Sequence, residues 1–268
     1  MTTKSLLNRT SRKKRDTMTS VSNTSSTGAY QALFPNGPLV VRGDSNSATL
    51  WCATARNLAR NGGLNTITDL GARTSSTCYM RGVSENLRIQ TNSAVPWIHR
   101  RICFTLKGDR FDSPYTGDTN VASPYIDIPG TGMQRSWQNL SVIGASGLYA
   151  ALTQYVFRGT AGKDWTDVMT GPIDTTRVTL KYDRVRTYQS GNQNGFVRSI
   201  KLWHPMNKNI VYDDDEDGET NSTRYLSVES KAGMGDYYVL DFFAPGGTRT
   251  ASDLLTVQTD STLYWHEK

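Results

Sequence analysis

Six cations crowd the first fifteen residues of the chain: Lys4, Arg9 and the run Arg12, Lys13, Lys14 and Arg15. A Ser/Thr/Asn tract without apolar period, TMTSVSNTSSTG, follows them directly. Such a segment buries too little apolar surface to offset the entropy of ordering, so residues 1–29 are expected to form a disordered basic arm. A flexible cationic arm displaces condensed counterions from phosphates without reading sequence, which suits an irregular single strand of DNA. Neutralising about five phosphates gives a log-affinity slope near −0.7 per phosphate on a single strand. Arg12, Lys13, Lys14 and Arg15 also match the pattern of a nuclear localisation signal, with nuclear import receptors as partners. The plain alternative is a solvated charge run that aids solubility.

A second set of residues offers metal chemistry. Asp213, Asp215 and Asp217, followed by Gly218, place hard carboxylates at alternating positions before a tight turn, as in the opening of a calcium loop. The twelfth position of that loop is Arg224 where a bidentate Glu is needed, so calcium competes with a solvated surface turn or an acidic contact to another subunit. Arg100, Arg101 and Lys107, or Arg177, Lys181, Arg184 and Arg186, offer a further basic surface for nucleic acid, against the ordinary reading of a polar sheet face. Enzyme chemistry is not expected. His99, His204 and His266 are the only histidines, and none stands in a zinc or nucleophile motif. Gly159 to Lys163 is too short for a phosphate loop. Trp97, Trp165, Trp203 and Trp265 are assigned to core and interface packing.

The elements that must carry these residues are mostly strands. Hydrophobic residues make up 37% of the 268 and aromatics 10%, with Gly and Pro spread throughout, which suits short strands joined by turns. No apolar run is long enough to span a membrane, and no secretory leader is readable at the N-terminus. Three cysteines without a C-x-x-C pair imply a reducing compartment. Residues 1–60 hold nine Lys/Arg against two Asp, a net of +7, and the remainder twenty-one against twenty-two acidic residues, a net of −1. The charge excess therefore lies wholly in the N-terminal segment.

Residues 45–61 carry apolar side chains near helical spacing and predict a short helix closed by Gly62 and Gly63. From residue 77 the period changes to two. In PWIHRRICFTLKG, Ile98, Ile102, Phe104 and Leu106 share one face, and Arg100 on that face predicts a strand not covered along its full length. Residues 108–138 read as a long surface excursion. GLYAALTQYVF predicts an inserted helix closed by Gly159, and strands resume through RVTLKYDRVRTY, with a phase slip near Val185. SGNQNG makes a turn into FVRSIKLWHP, and further strands fall near 224–229, at 236–243 and at the C-terminus. These features predict an all-β chain: one jelly-roll β-sandwich over residues 30–268, with about eight main strands, short inserted helices and the arm at 1–29.

The later part of the chain resembles the coat proteins of genomoviruses and, more distantly, of geminiviruses, both viruses with circular single-stranded DNA. The blocks that carry the resemblance are PWIHRRICFTLKG, DWTDVM, IDTTRVTLKYDR, LWHPMNKNIVYDDDEDG, GMGDYYVLDFF and LYWHEK, in that order within residues 77–268. The resemblance implies a capsid protein that assembles with itself into a small icosahedral virion around circular single-stranded DNA and enters the host nucleus. A single-stranded DNA-binding β-sandwich that does not assemble is the alternative, and a jelly-roll lectin or enzyme a more remote one.

Overall fold

The computed structural model describes residues 9–60 and 63–268. Two antiparallel sheets face one another. In the first, the order is β1 (Arg12–Met18), β17 (Leu254–Glu267), β8 (Thr77–Thr91) and β13 (Val197–Val211), with β4 (Leu39–Arg42) pairing with the start of β17. In the second, the order is β12 (Thr179–Tyr188), β9 (Trp97–Leu106), β16 (Asp236–Pro245) and β5 (Ser47–Cys52). Numbered along the chain, these eight main strands lie first, eighth, third, sixth in one sheet and fifth, fourth, seventh, second in the other. That winding is a jelly roll, and the predicted fold class stands.

Smaller elements decorate the sandwich. Strands β2 (Ser20–Thr24), β3 (Tyr30–Pro35), β10 (Ile126–Ile128) and β11 (Gly132–Trp137) form a four-stranded sheet in which β2 runs parallel to β11. Two hairpins, β6 (Ala59–Arg60) with β7 (Gly63–Leu64) and β14 (Asp215–Asp217) with β15 (Thr220–Ser222), project from loops. Helices α1 (Leu140–Ile143) and α2 (Ser146–Val156) lie between β11 and β12.

The two sheets differ in what covers their outer faces. Along β17, the odd-numbered residues from Leu255 to Glu267 point inward and are buried, while the even-numbered residues between them are partly or fully exposed. This strict alternation marks a sheet with one bare face. Strand β16 has no alternation because α2 and the loop after β9 close over its outer side, with Tyr149 edge-on to Phe242 and Phe111 edge-on to Tyr238.

Several expectations are corrected. Residues 45–60, the described part of the predicted helix, form β5, irregular chain and β6; all six residues of β5 are buried, and a strand covered on both faces leaves no period of two to read. Segment 108–138 is only partly a surface excursion, since β11 and Phe111 are buried. Helix α2 occupies the predicted place but ends at Phe157, which is extended, two residues before Gly159. The slip in β12 lies between Leu180 and Tyr182, and near 224–229 only an isolated bridge, Ser227 to Tyr212, is formed.

The largest correction concerns the arm. Residues 12–24 form β1 and β2, and every residue of β2 is buried. Its hydroxyl and amide side chains are satisfied without an apolar face. Ser20 Oγ donates to the Gly37 carbonyl at 2.9 Å, Thr24 Oγ1 accepts from Val40 N at 2.9 Å, and Asn23 Oδ1 accepts from Asn139 N at 2.8 Å. Hydrogen bonding replaces apolar burial in the Ser/Thr/Asn tract, so hydrophobic period does not reveal it.

Candidate nucleic-acid interface

Lys4 lies outside the described residues, and Arg9 is exposed. Arg12, Lys13, Lys14 and Arg15 lie on β1, paired residue by residue with Glu267 to Tyr264 of β17. Strand geometry turns alternate side chains to opposite faces, and the four cations separate accordingly. Arg12, Lys13 and Arg15 are exposed, and none has an ion-pair partner among the described residues. Lys14 points inward. Its Nζ donates to the Ala72 carbonyl at 2.8 Å and lies 3.2 Å from Glu267 Oε2, both side chains sealed from solvent. Lys14 is therefore removed from the phosphate-gripping set. As folded, the run presents three of its four cations.

The second basic surface is also corrected. Arg100 is buried on the covered face of β9, where Nε and Nη2 donate to Asp183 at 2.9 and 2.7 Å and Nη1 reaches the carbonyls of Val168 and Gly171. Arg101 points between the sheets. Its guanidinium grips Asp241 through Nε at 2.6 Å and Nη2 at 2.9 Å, and also bonds Glu85. Lys107 is held by the carbonyls of Ser230 and Ala232. Arg177, Lys181 and Arg184 are exposed, and Arg186 is half-buried against Tyr182.

Sequence reasoning missed the group that Arg101 belongs to. Arg135 Nη2 donates to Asp241 at 3.0 Å and Nε to Glu85 at 3.2 Å, so two carboxylates and two guanidiniums form a closed quartet of net charge zero. Arg135 also stacks on Trp137, 3.6 Å from the ring centroid. The quartet divides the interior. Val83, Cys103 and Val239 belong to one apolar cluster, Leu87, Trp97 and Phe243 to the other, and Glu85, Arg101 and Asp241 lie between them on the same three strands. Burial alone would raise the Glu85 carboxyl, but Arg101 and Arg135 overcome it and hold it at about 2. His99 bridges Asp241 at 2.7 Å and the Tyr188 hydroxyl at 3.0 Å; burial outweighs the pull of Asp241 and lowers its pKa. His204 is buried beside Glu85, while His266 is half-buried on the outer face of β17. No motif signals the quartet, because its members stand far apart in the chain.

In the acidic loop, Asp215 and Asp217 are exposed on the β14–β15 hairpin, and Asp213 is exposed before it. No group of three or more His, Cys, Asp or Glu side chains that could hold a metal exists among the described residues, so the predicted calcium ligands are not assembled there. The engaged carboxylate of this loop is Asp214, which forms a two-pronged pair with the buried Arg73.

The six tryptophans also sort by place. Trp51, Trp97, Trp137 and Trp265 are buried and Trp165 is partly buried, but Trp203 is 50% exposed on the outer face of β13 and so is not part of the core. No family model matches the chain, and no curated protein matches it significantly.

Proposed function

We propose that this chain is a shell subunit that assembles with copies of itself and packages single-stranded DNA. The observation that carries this reading is the division of labour on β1, where Lys14 anchors the strand to Glu267 while Arg12, Lys13 and Arg15 stand exposed, with no ion-pair partner among the described residues. Cations fixed on a strand without counter-charge attract a polyanion and lose little entropy on binding it. The jelly roll is an architecture shared by viral shells, lectins and cupins, so it permits this reading without choosing it.

Assembly is supported by apolar side chains exposed away from the sandwich. Tyr30, Leu33 and Phe34 on β3 are 50%, 46% and 56% exposed, and Leu64 at the end of β7 with Ile67 and Leu70 in the loop after it are 57% to 64% exposed. Exposed apolar clusters of this kind mark contact surfaces. Weak binding by each subunit becomes strong when many copies hold one strand. The small icosahedral form and the circular DNA rest on the coat-protein resemblance alone, and nuclear entry on that resemblance together with the basic run at Arg12 to Arg15.

Size-exclusion chromatography with absorbance at 260 and 280 nm, before and after nuclease, tests the proposal. A megadalton species carrying nuclease-protected nucleic acid is the expected result. A small species that stays small with added single-stranded DNA overturns assembly, and if it still binds DNA it is a non-assembling binding module. The arm's role is tested by replacing Arg12, Lys13 and Arg15 together with Ala, because deleting residues 1–18 would remove β1 from its sheet.

A further inference from the structure

We propose that the bare outer face of the β1–β17–β8–β13 sheet is a single-stranded DNA site in which Trp203 stacks on a base and Arg81, Arg88 and Lys201 hold the flanking phosphates. This deepens the packaging reading and rests on it. Strand alternation sends Lys13 and Arg15 of β1, Tyr264 and His266 of β17, Arg81 and Arg88 of β8, and Lys201 and Trp203 of β13 to the same side. The five Lys and Arg side chains on this face are exposed, and none has an ion-pair partner among the described residues. The outward positions of these four strands carry one carboxylate, Asp260. The surplus is felt locally: burial and then the charges of Arg81 and Lys13 push the His266 imidazole below its usual pKa.

Trp203 is a prepared platform. Its ring lies over Gly82, whose φ of +151° and lack of a side chain admit it; a Cβ there would stand 2.7 Å from the indole and 2.5 Å from the His204 carbonyl. The far edge of the ring meets Tyr264 at 5.9 Å between centroids. One side of the indole is thus packed while half of the residue stays open to solvent. A fixed aromatic with an open face stacks on any base at little entropic cost, but the base must first be free of a duplex. Beside it, a shallow groove crosses β17, β8 and β13, lined by Asn86, Arg88, Ser199, Lys201, Gln258 and Asp260. Lys201 stands two residues from Trp203 on one strand, about 6.8 Å along it, so a stacked base brings its phosphates within reach. The polar side chains that line the groove, with Leu87 and Ile200 beneath them, can meet sugar and base edges without selecting among them. On the other sheet, the outer face of β16 is covered by α2 and the loop after β9.

The test is binding of a fluorescein-labelled oligo(dT) to the full chain, followed by anisotropy and by tryptophan quenching. Trp203→Ala should weaken binding by roughly 5- to 150-fold, the range for loss of one stacked base, and remove most of the quenching. Trp203→Phe should restore most of the affinity. Arg88→Ala with Lys201→Ala should lower the slope of log affinity against log salt by about 1.4 and leave the Trp203 quenching in place. Thermal melting of Trp203→Ala within a few degrees of the parent shows that the fold is retained. Parent-like affinity and salt slope in both variants would overturn this site while leaving packaging by the Arg12, Lys13 and Arg15 cations intact. A parent chain that neither binds oligo(dT) nor assembles would overturn both. If Trp203→Ala changes particle size at unaltered DNA affinity, the face is a contact between copies and the proposal fails.

Discussion

Lys14 Nζ and the Glu267 carboxylate lie 3.2 Å apart in a solvent-free pocket, joining the first strand of the sandwich to the end of the last. Trp265 Nε1 donates to the same carboxylate at 2.7 Å and Thr74 N at 3.1 Å, so the acid is fully engaged. The contact converts part of a basic run into a structural anchor and leaves Arg12, Lys13 and Arg15 exposed.

Breaking that pair should be costly. Lys14→Met leaves the buried Glu267 charge uncompensated, and a loss of about 3–5 kcal/mol is expected in urea denaturation. Lys13→Met and Arg15→Met, on the exposed side, should each stay within about 0.5 kcal/mol of the parent. Equal losses at all three positions would show that β1 is not docked as described.

The quartet predicts acid sensitivity. Glu85 is held at about 2 by Arg101 and Arg135, below the ordinary value of about 4.3. A carboxyl with a depressed folded pKa contributes stability that is present above the ordinary value and lost as pH falls toward about 2. The urea midpoint should therefore drop between about pH 4.3 and pH 2. Glu85→Gln should be less stable at neutral pH and show a shallower fall on acidification.

Asp236 predicts the opposite slope. Burial drives its carboxyl up to about 7, despite hydrogen bonds from Ser227 N at 2.8 Å and Ser227 Oγ at 2.6 Å. The folded state keeps this proton more tightly than the unfolded chain. Its stabilising contribution is thus full below about pH 4 and lost as pH rises through about 7. Asp236→Asn should flatten the melting temperature between pH 5 and pH 8 and exceed the parent at pH 8. A parent curve already flat over that range would refute the assignment.

The thiols should be silent in the folded protein. Cys52, Cys78 and Cys103 are free and buried, and burial raises the pKa of each. Because the thiolate is the reactive form, a maleimide at pH 8 should label none of the three in native protein and all three in urea. Rapid native labelling would mean that the sandwich opens locally.

Legibility in the sequence followed the physics of each element. The alternation of Leu263, Trp265 and Glu267 with Tyr264 and His266 is visible because one face of β17 meets water. The burial of β5 and β2 is not, because the first is covered on both faces and the second is satisfied by hydroxyl and amide hydrogen bonds. The cationic run was readable as charge, but not the fate of Lys14, which depends on a partner 253 residues away in the chain.

The sequence by itself determined the all-β class, the site of the inserted helix and the concentration of positive charge near the N-terminus, because local period, turn residues and net charge need no knowledge of partners. Only the tertiary structure decided which cations are spent in ion pairs, that Arg100 and Arg101 are interior and that Trp203 is not. Those outcomes depend on which strands become neighbours, and sheet pairing joins residues too distant in sequence for any local pattern to record.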